Sequence, residues 1–151
     1  MTVVLLVGLP GSGKSTWLAR RNLVALSSDE VRRWLTDDPA DQTHNARVFK
    51  TLRFLLRQRL AVGCPVTYID ATNLTRQERR AWREIARKHG AQLEAVFFDV
   101  APEICKARNA VRERVVPDHV IDAMVARLEP PTLSEGFKRI DVVQPERAAT
   151  G

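Results

Sequence analysis

Short stretches that are apolar throughout alternate along the chain with longer ones whose apolar residues recur every three to four positions. "TVVLLVG" (2–8) is apolar almost end to end, as a strand covered on both faces must be. "GKSTWLARR" behind it opens a helix, "NLVALSS" is a second short strand, and "DEVRRWLTDD" a short helix. In "NARVFKTLRFLLRQRLAVG", Val48, Phe49, Leu52, Leu55, Leu56 and Leu60 share one helical stripe that stops at Gly63. "PVTYIDATN" is a third strand running from Pro65 into Asp70. "TRQERRAWREIARKHG" is a helix with Thr75 as N-cap and Glu78 completing a capping box, closed by Lys88, His89 and Gly90. "QLEAVFFDV" is a fourth strand, and Pro102 sits near the start of the helix "PEICKARNAVRER". A further helix "PDHVIDAMVARLE", a loop "EPPTLSEG" and a last strand "FKRIDVV" follow, and "QPERAATG" reads as a frayed tail.

This order predicts an α/β fold with a parallel sheet, in one domain over 1–144 with a flexible tail at 145–151. Aromatic residues make up only 6% of the chain against 44% hydrophobic, so the core should be aliphatic. No stretch approaches the 18 apolar residues of a membrane span, and the opening run lacks the basic flank of a signal peptide. Cys64 and Cys105 have no metal-ligand spacing and fit a reducing, cytoplasmic setting. A net charge of +6 suits a polyanionic partner such as nucleic acid. Arg greatly outnumbers Lys, and a compositional bias toward Arg would give the same charge.

Chemistry first becomes specific at "GLPGSGKST", where Gly8, Gly13, Lys14 and Ser15 satisfy G-x-x-x-x-G-K-[ST] between a strand and a helix. Glycines such as Gly11 and Gly13 let backbone N–H groups of the loop, through Ser12, Ser15 and Thr16, turn toward phosphate oxygens at the helix N-terminus. Lys14 is placed for the β- and γ-phosphates, and the Ser15 hydroxyl for Mg²⁺. The expected ligand is ATP or another nucleoside triphosphate. A plain glycine turn in a Rossmann-like sheet is the competing explanation.

A base-reading N-K-x-D motif, as a switch GTPase needs, is absent, and a AAA-type motor needs a far longer chain. Small kinases carry an acidic base after the second strand and an Arg-rich lid. Asp29 in "SSDEVRRWL" stands at that strand's end, where it would take a proton from an attacking hydroxyl, and Arg32 follows on the same helical face. Asp29 would equally serve as the N-cap of the helix, in competition with Ser28. Arg108 and Arg112, four apart, would project from one helical face to clamp phosphates, or would form a solvated basic face; Arg114 follows them.

"GLPGSGKST", "SSDEVRR", "DDPADQT", "IDATN", "CKARNAVR" and "EGFKRI", in that order over about 3–143, resemble the kinase module of bacterial polynucleotide kinase–phosphatases. More distantly they resemble the phage polynucleotide 5′-kinase. The resemblance implies a P-loop kinase with a central parallel sheet, flanking helices and an Arg-bearing lid. It implies transfer of the γ-phosphate to the 5′-hydroxyl of DNA or RNA, and hence a place in nucleic acid repair. By position, Asp29 is then the general base and Arg32 grips the phosphate after the terminal nucleoside, with Gln42 beside it. Lys14 and Ser15 hold the donor, and Arg108 and Arg112 form the lid. Asp70, Thr72 and Asn73 lie near the acceptor or behind Mg²⁺. Fuller members of that family also carry phosphatase and sometimes ligase-like modules. The chain has neither, which leaves a stand-alone kinase or an excised module, with any phosphatase or ligase partner unknown.

Two other functions compete: a small-molecule P-loop kinase for an antibiotic, sugar or nucleotide, and a nucleotide-dependent interaction module with weak ATPase. The arginines of 75–90 read as a solvated face laced with Glu78 and Glu84. His44, His89 and His119 read as surface residues, and Trp17 and Trp82 as packing. Trp34 alone is a candidate for stacking on a base.

Overall fold

In a computed structural model, residues 1–112 and 115–145 are described. The first apolar run forms β1 (Thr2–Val7), and its side chains alternate between two cores. Val3, Leu5 and Val7 face a core that includes Leu52 and Leu56 of α3 (Asn45–Val62) and Trp82 and Ile85 of α4 (Arg76–Lys88). Val4 and Leu6 face the opposite side, with Leu18 of α1 (Lys14–Arg20). A strand covered on both faces has no place for a polar side chain, hence the unbroken apolar run.

The remaining elements are β2 (Ala25–Ser27), α2 (Ser28–Thr36), β3 (Val66–Asp70), β4 (Gln92–Phe98), α5 (Pro102–Asn109), α6 (Asp118–Arg127) and β5 (Arg139–Val143). The five strands are all parallel, in the order β2-β3-β1-β4-β5. Asp70 is in register with Leu6 on one side and Ser27 on the other. The loops after β1, β2 and β3 therefore open at one level of one sheet edge, where ligands of such sheets bind. Among the described residues no helix is long and apolar enough to cross a membrane.

Local chemistry explains most element ends. Ser27, not Ser28 or Asp29, caps α2: its hydroxyl accepts from the Glu30 N–H. Thr75 caps α4 as expected, but the Glu78 carboxylate accepts from the Leu74 N–H, one residue short of the reciprocal capping-box bond. Gly63 closes α3 with φ 89°.

Three stretches differ from expectation. The helix expected through 114 stops at Asn109, whose buried side chain donates to the Val116 carbonyl and accepts from the Val116 N–H, tying the following loop across the helix end. "TLSE", expected as loop, is a 3-10 turn (Leu133–Glu135) with its own Thr132–Glu135 capping box. The face of α4 expected to be solvated buries Arg79, 1% exposed, against Glu135. Of the expected tail at 145–151, only Pro145 falls within the described residues.

Candidate active site

The loop between β1 and α1 is shaped by contacts on both sides. Gly8 N–H donates to the Thr72 carbonyl (3.0 Å), joining it to the turn after β3. Gly11 has φ 80° and its α-carbon faces the Cys105 carbonyl of α5, so closely that a Cβ would collide with it. Gly13 takes φ 103° at the N-cap of α1 and lies beneath Arg108, whose Nη1 would be 3.5 Å from an added Cβ. Only glycine adopts such backbone here without strain. Ser15 and Thr16 follow exposed in the first turn, which holds no acidic residue to oppose an anion. Ser12 is buried, and among the described residues its Oγ has no hydrogen-bond partner.

Lys14 folds back over this loop and donates from Nζ to the Gly8 (2.8 Å) and Leu9 (3.0 Å) carbonyls. Burial pushes its ammonium below the usual lysine range, against the opposing pull of Asp70 and Asp29, while Arg112 pushes it lower. Burial likewise raises the Asp70 carboxyl, with Lys14 resisting. These mutual effects show one electrostatic cluster of Lys14, Asp29, Asp70 and Arg112 at the sheet edge.

On the β2 side, Arg32 Nη1 donates to Asp29 Oδ1 (2.9 Å) and Nη2 to Asn45 Oδ1 (2.9 Å). Asn45 Nδ2 in turn donates to Gln42 Oε1 (3.1 Å). Asp29, Arg32, Asn45 and Gln42 thus form one chain of hydrogen bonds beside the cleft. Asn45 was not among the expected site residues, because its only sequence signal is its place at the start of α3.

"DATN" divides in two. Asp70 and Thr72 are half-buried at the cleft. Asn73 was expected near the acceptor or behind Mg²⁺; it borders the cleft, and its side chain turns inward: it donates to the Leu6 carbonyl (2.7 Å) and accepts from Trp82 Nε1 (3.0 Å). With φ 49° and both ends of its amide engaged, Asn73 secures the turn that carries Thr72. Behind it, Arg79 donates to the Asn73 (2.8 Å) and Leu74 (3.1 Å) carbonyls and, from Nε and Nη2, to both oxygens of Glu135.

Arg108 comes from α5, whereas Arg112 lies in the turn beyond it, so the two do not share a helical face; Arg114 lies outside the described residues. Trp34 is 64% exposed and does not line the cleft. Trp17 does line it, packed edge-on to Tyr68 and Phe98 with the Arg21 guanidinium 4.3 Å above its ring. The whole cleft encloses about 1190 Å³, reaching from the phosphate loop to α2, α3 and α4.

No three-residue His, Cys, Asp or Glu cluster able to hold a metal occurs among the described residues. The exposed Ser15 hydroxyl, which lines the same cleft as Asp70, instead suits Mg²⁺, which binds through one or two protein groups together with phosphates and waters.

A five-stranded parallel sheet, a glycine-framed phosphate loop and a lysine at its helix start define a P-loop phosphotransferase. Residues 3–131 match the AAA domain family AAA_33, a P-loop kinase domain, and the chain belongs to that family. It is 25% identical, over 93% of its length, to a bifunctional polynucleotide phosphatase/kinase of Schizosaccharomyces pombe, and spans a third (33%) of that relative. Among solved structures it is similar to a chain of the Pnkp1/Rnl/Hen1 RNA repair complex (TM-score 0.68, 25% identity, covering 84% of this chain and 43% of that one). It is also similar in fold to a sugar kinase of Janibacter sp. HTCC2649 (TM-score 0.68, 20% identity, covering 95% and 85%).

Proposed function

We propose that the chain is an NTP-dependent kinase that transfers the γ-phosphate to the 5′-hydroxyl end of a DNA or RNA strand. The Asp29–Arg32 pair carries this reading. It joins a half-exposed carboxylate to a buried guanidinium, two strands away from the phosphate loop across the sheet edge. Two interstrand spacings are roughly 10 Å, enough for a phosphoryl group and an attacking oxygen between them. The curated relative is a polynucleotide phosphatase/kinase, and the RNA repair complex is a second relative in the same direction.

In this mechanism Asp29 accepts the proton of the 5′-hydroxyl as its oxygen bonds to the γ-phosphorus, the bond to the β-phosphate oxygen breaks, and the nucleoside diphosphate leaves. Arg32 holds the phosphate that follows the terminal nucleoside, with Gln42 beside it. Lys14 exchanges the Gly8 and Leu9 carbonyls for the β- and γ-phosphates, and Arg108 and Arg112 neutralise charge from the lid. Ser15 would hold Mg²⁺, which supplies further neutralisation of the β- and γ-oxygens when bound. Asp70 keeps the Lys14 cluster balanced, and Thr72 borders the acceptor. The proposed domain is 1–144, acting in the cytoplasm on 5′-hydroxyl ends of nucleic acid.

The test is transfer from γ-labelled ATP with Mg²⁺ to 5′-hydroxyl DNA and RNA oligonucleotides, with Lys14→Ala and Asp29→Ala as controls. Label on the 5′ end, lost in both variants, supports the reading. Bound ATP without labelled oligonucleotide would overturn it in favour of a small-molecule acceptor.

A further inference from the structure

The α3 helix turns one stripe toward the cleft: Asn45, Phe49 and Arg53, four residues apart, all line it. That spacing lays the three side chains along one face with about 6 Å of rise between successive steps. Asn45, the first, is bound to Arg32. Phe49 is half-buried, packed against the core while still bordering the cleft. Arg53 is also half-buried, and among the described residues its guanidinium makes no hydrogen bond or ion pair. Arg59, six residues on in the same helix, behaves otherwise, since it donates to Thr67 Oγ1 and the Val66 carbonyl. An arginine that borders the cleft without a counter-charge presents its guanidinium to an anionic group entering there. Gln77 and Ala81 of α4, again four apart, line the same cleft, and the short Ala81 side chain leaves room there.

We propose that this stripe is a subsite for the second nucleotide of the acceptor strand, a proposal that rests on the polynucleotide kinase reading above. The base after the terminal nucleoside stacks on Phe49, and the second phosphate pairs with Arg53. Arg32 and Arg53 then read successive phosphates of one strand, with an aromatic platform between them. An acceptor carrying a single phosphate satisfies only Arg32. Acceptor length is thereby selected by α3, outside the reacting atoms.

Steady-state transfer to three 5′-hydroxyl acceptors tests this: a nucleoside 3′-monophosphate, a dinucleotide 3′-phosphate, and the same dinucleotide with its second base absent. In the wild type the second phosphate should raise kcat/KM about tenfold, and loss of the second base should remove part of that gain. Arg53→Ala should collapse the ratio between di- and mononucleotide toward one, with Arg53→Lys restoring part of it. Phe49→Leu, which keeps apolar packing, should erase the difference between the base-bearing and abasic dinucleotides. Nucleotide titration of each variant reports that it is folded. If the wild type shows no gain from the second phosphate, or the variants lower all three acceptors alike, the subsite is overturned while the kinase stands. If the wild type labels neither these three nor a 5′-hydroxyl oligonucleotide yet binds ATP, the kinase reading falls and the subsite with it; if it labels only the oligonucleotide, the kinase stands and the subsite is overturned.

Discussion

Arg32 and Asp29 share a 2.9 Å hydrogen bond across a steep gradient of exposure: the guanidinium side chain is 5% exposed and the carboxylate 46%. The arginine is fixed by the fold, with Asn45 on its other nitrogen, and the carboxylate is held by it at the edge of the cleft. A carboxylate held in this way needs little reorganisation to accept a proton in the proposed reaction.

Replacing Asp29 with Asn keeps the shape and removes the proposed base. Turnover should fall by about 10²–10⁴, with nucleotide affinity retained. Single-turnover transfer alongside a nucleotide titration separates the two, and full turnover in Asp29→Asn would take this residue out of the chemistry.

Asn45→Ala removes the acceptor oxygen from the Arg32 Nη2 and the donor from Gln42. A hydrogen bond to a charged group contributes roughly 1.5–3 kcal/mol, so acceptor KM should rise about tenfold or more with kcat nearly kept. A fall in kcat at constant KM would show that Asn45 serves the transition state instead of the acceptor.

Gly11→Ala should loosen α5 from the phosphate loop, because the new Cβ meets the Cys105 carbonyl and φ is 80°. Gly63→Ala is the matched control: φ there is 89° with no atom within 4 Å of the added carbon. The control should lose only the left-handed backbone cost of about 1–2 kcal/mol. Gly11→Ala should lose more in urea unfolding and should also bind nucleotide more weakly. Equal losses would mean that the packing of α5 yields freely.

Glu135→Gln leaves the buried Arg79 guanidinium without its counter-charge, a loss on the order of 3–5 kcal/mol. Burial by itself would raise the Glu135 carboxyl, but the Arg79 hydrogen bond and the Thr132 N–H bring it below its ordinary value of 4.5. A carboxyl depressed by folding stabilises the fold above the unfolded value, and that contribution disappears as pH falls through the folded value. Urea unfolding at pH 7 and at pH 3 should therefore show a larger drop in the wild type than in Glu135→Gln. Identical drops would place the acid sensitivity elsewhere.

The helix at 76–88 shows where local pattern stops being informative. Its arginines look alike in sequence, yet Arg80 is exposed and Arg79 is 1% exposed. Glu135 lies 56 residues away, so no window of sequence pairs them. Asn73 is a similar case: "DATN" reads as a ligand-facing turn, and only the approach of Trp82 and the Leu6 carbonyl shows its amide engaged within the fold. The α5 helix ended early because Asn109 binds Val116, a contact invisible to helical periodicity.

By itself the sequence determined what depends on neighbouring residues. The buried strands follow from uninterrupted apolar runs, the α3 stripe from its helical period, the cap at Thr75 from hydroxyl chemistry, and the phosphate loop from glycines ahead of Lys14 and Ser15. Tertiary structure alone decided the strand order, the level register of Leu6, Ser27 and Asp70, and the chain from Asp29 through Arg32 and Asn45 to Gln42. Only the folded chain, likewise, turns Phe49 and Arg53 toward the cleft. The physical reason is range. Propensity, periodicity and capping act within a few residues, whereas a side chain's burial and partners depend on which distant segment the fold brings against it.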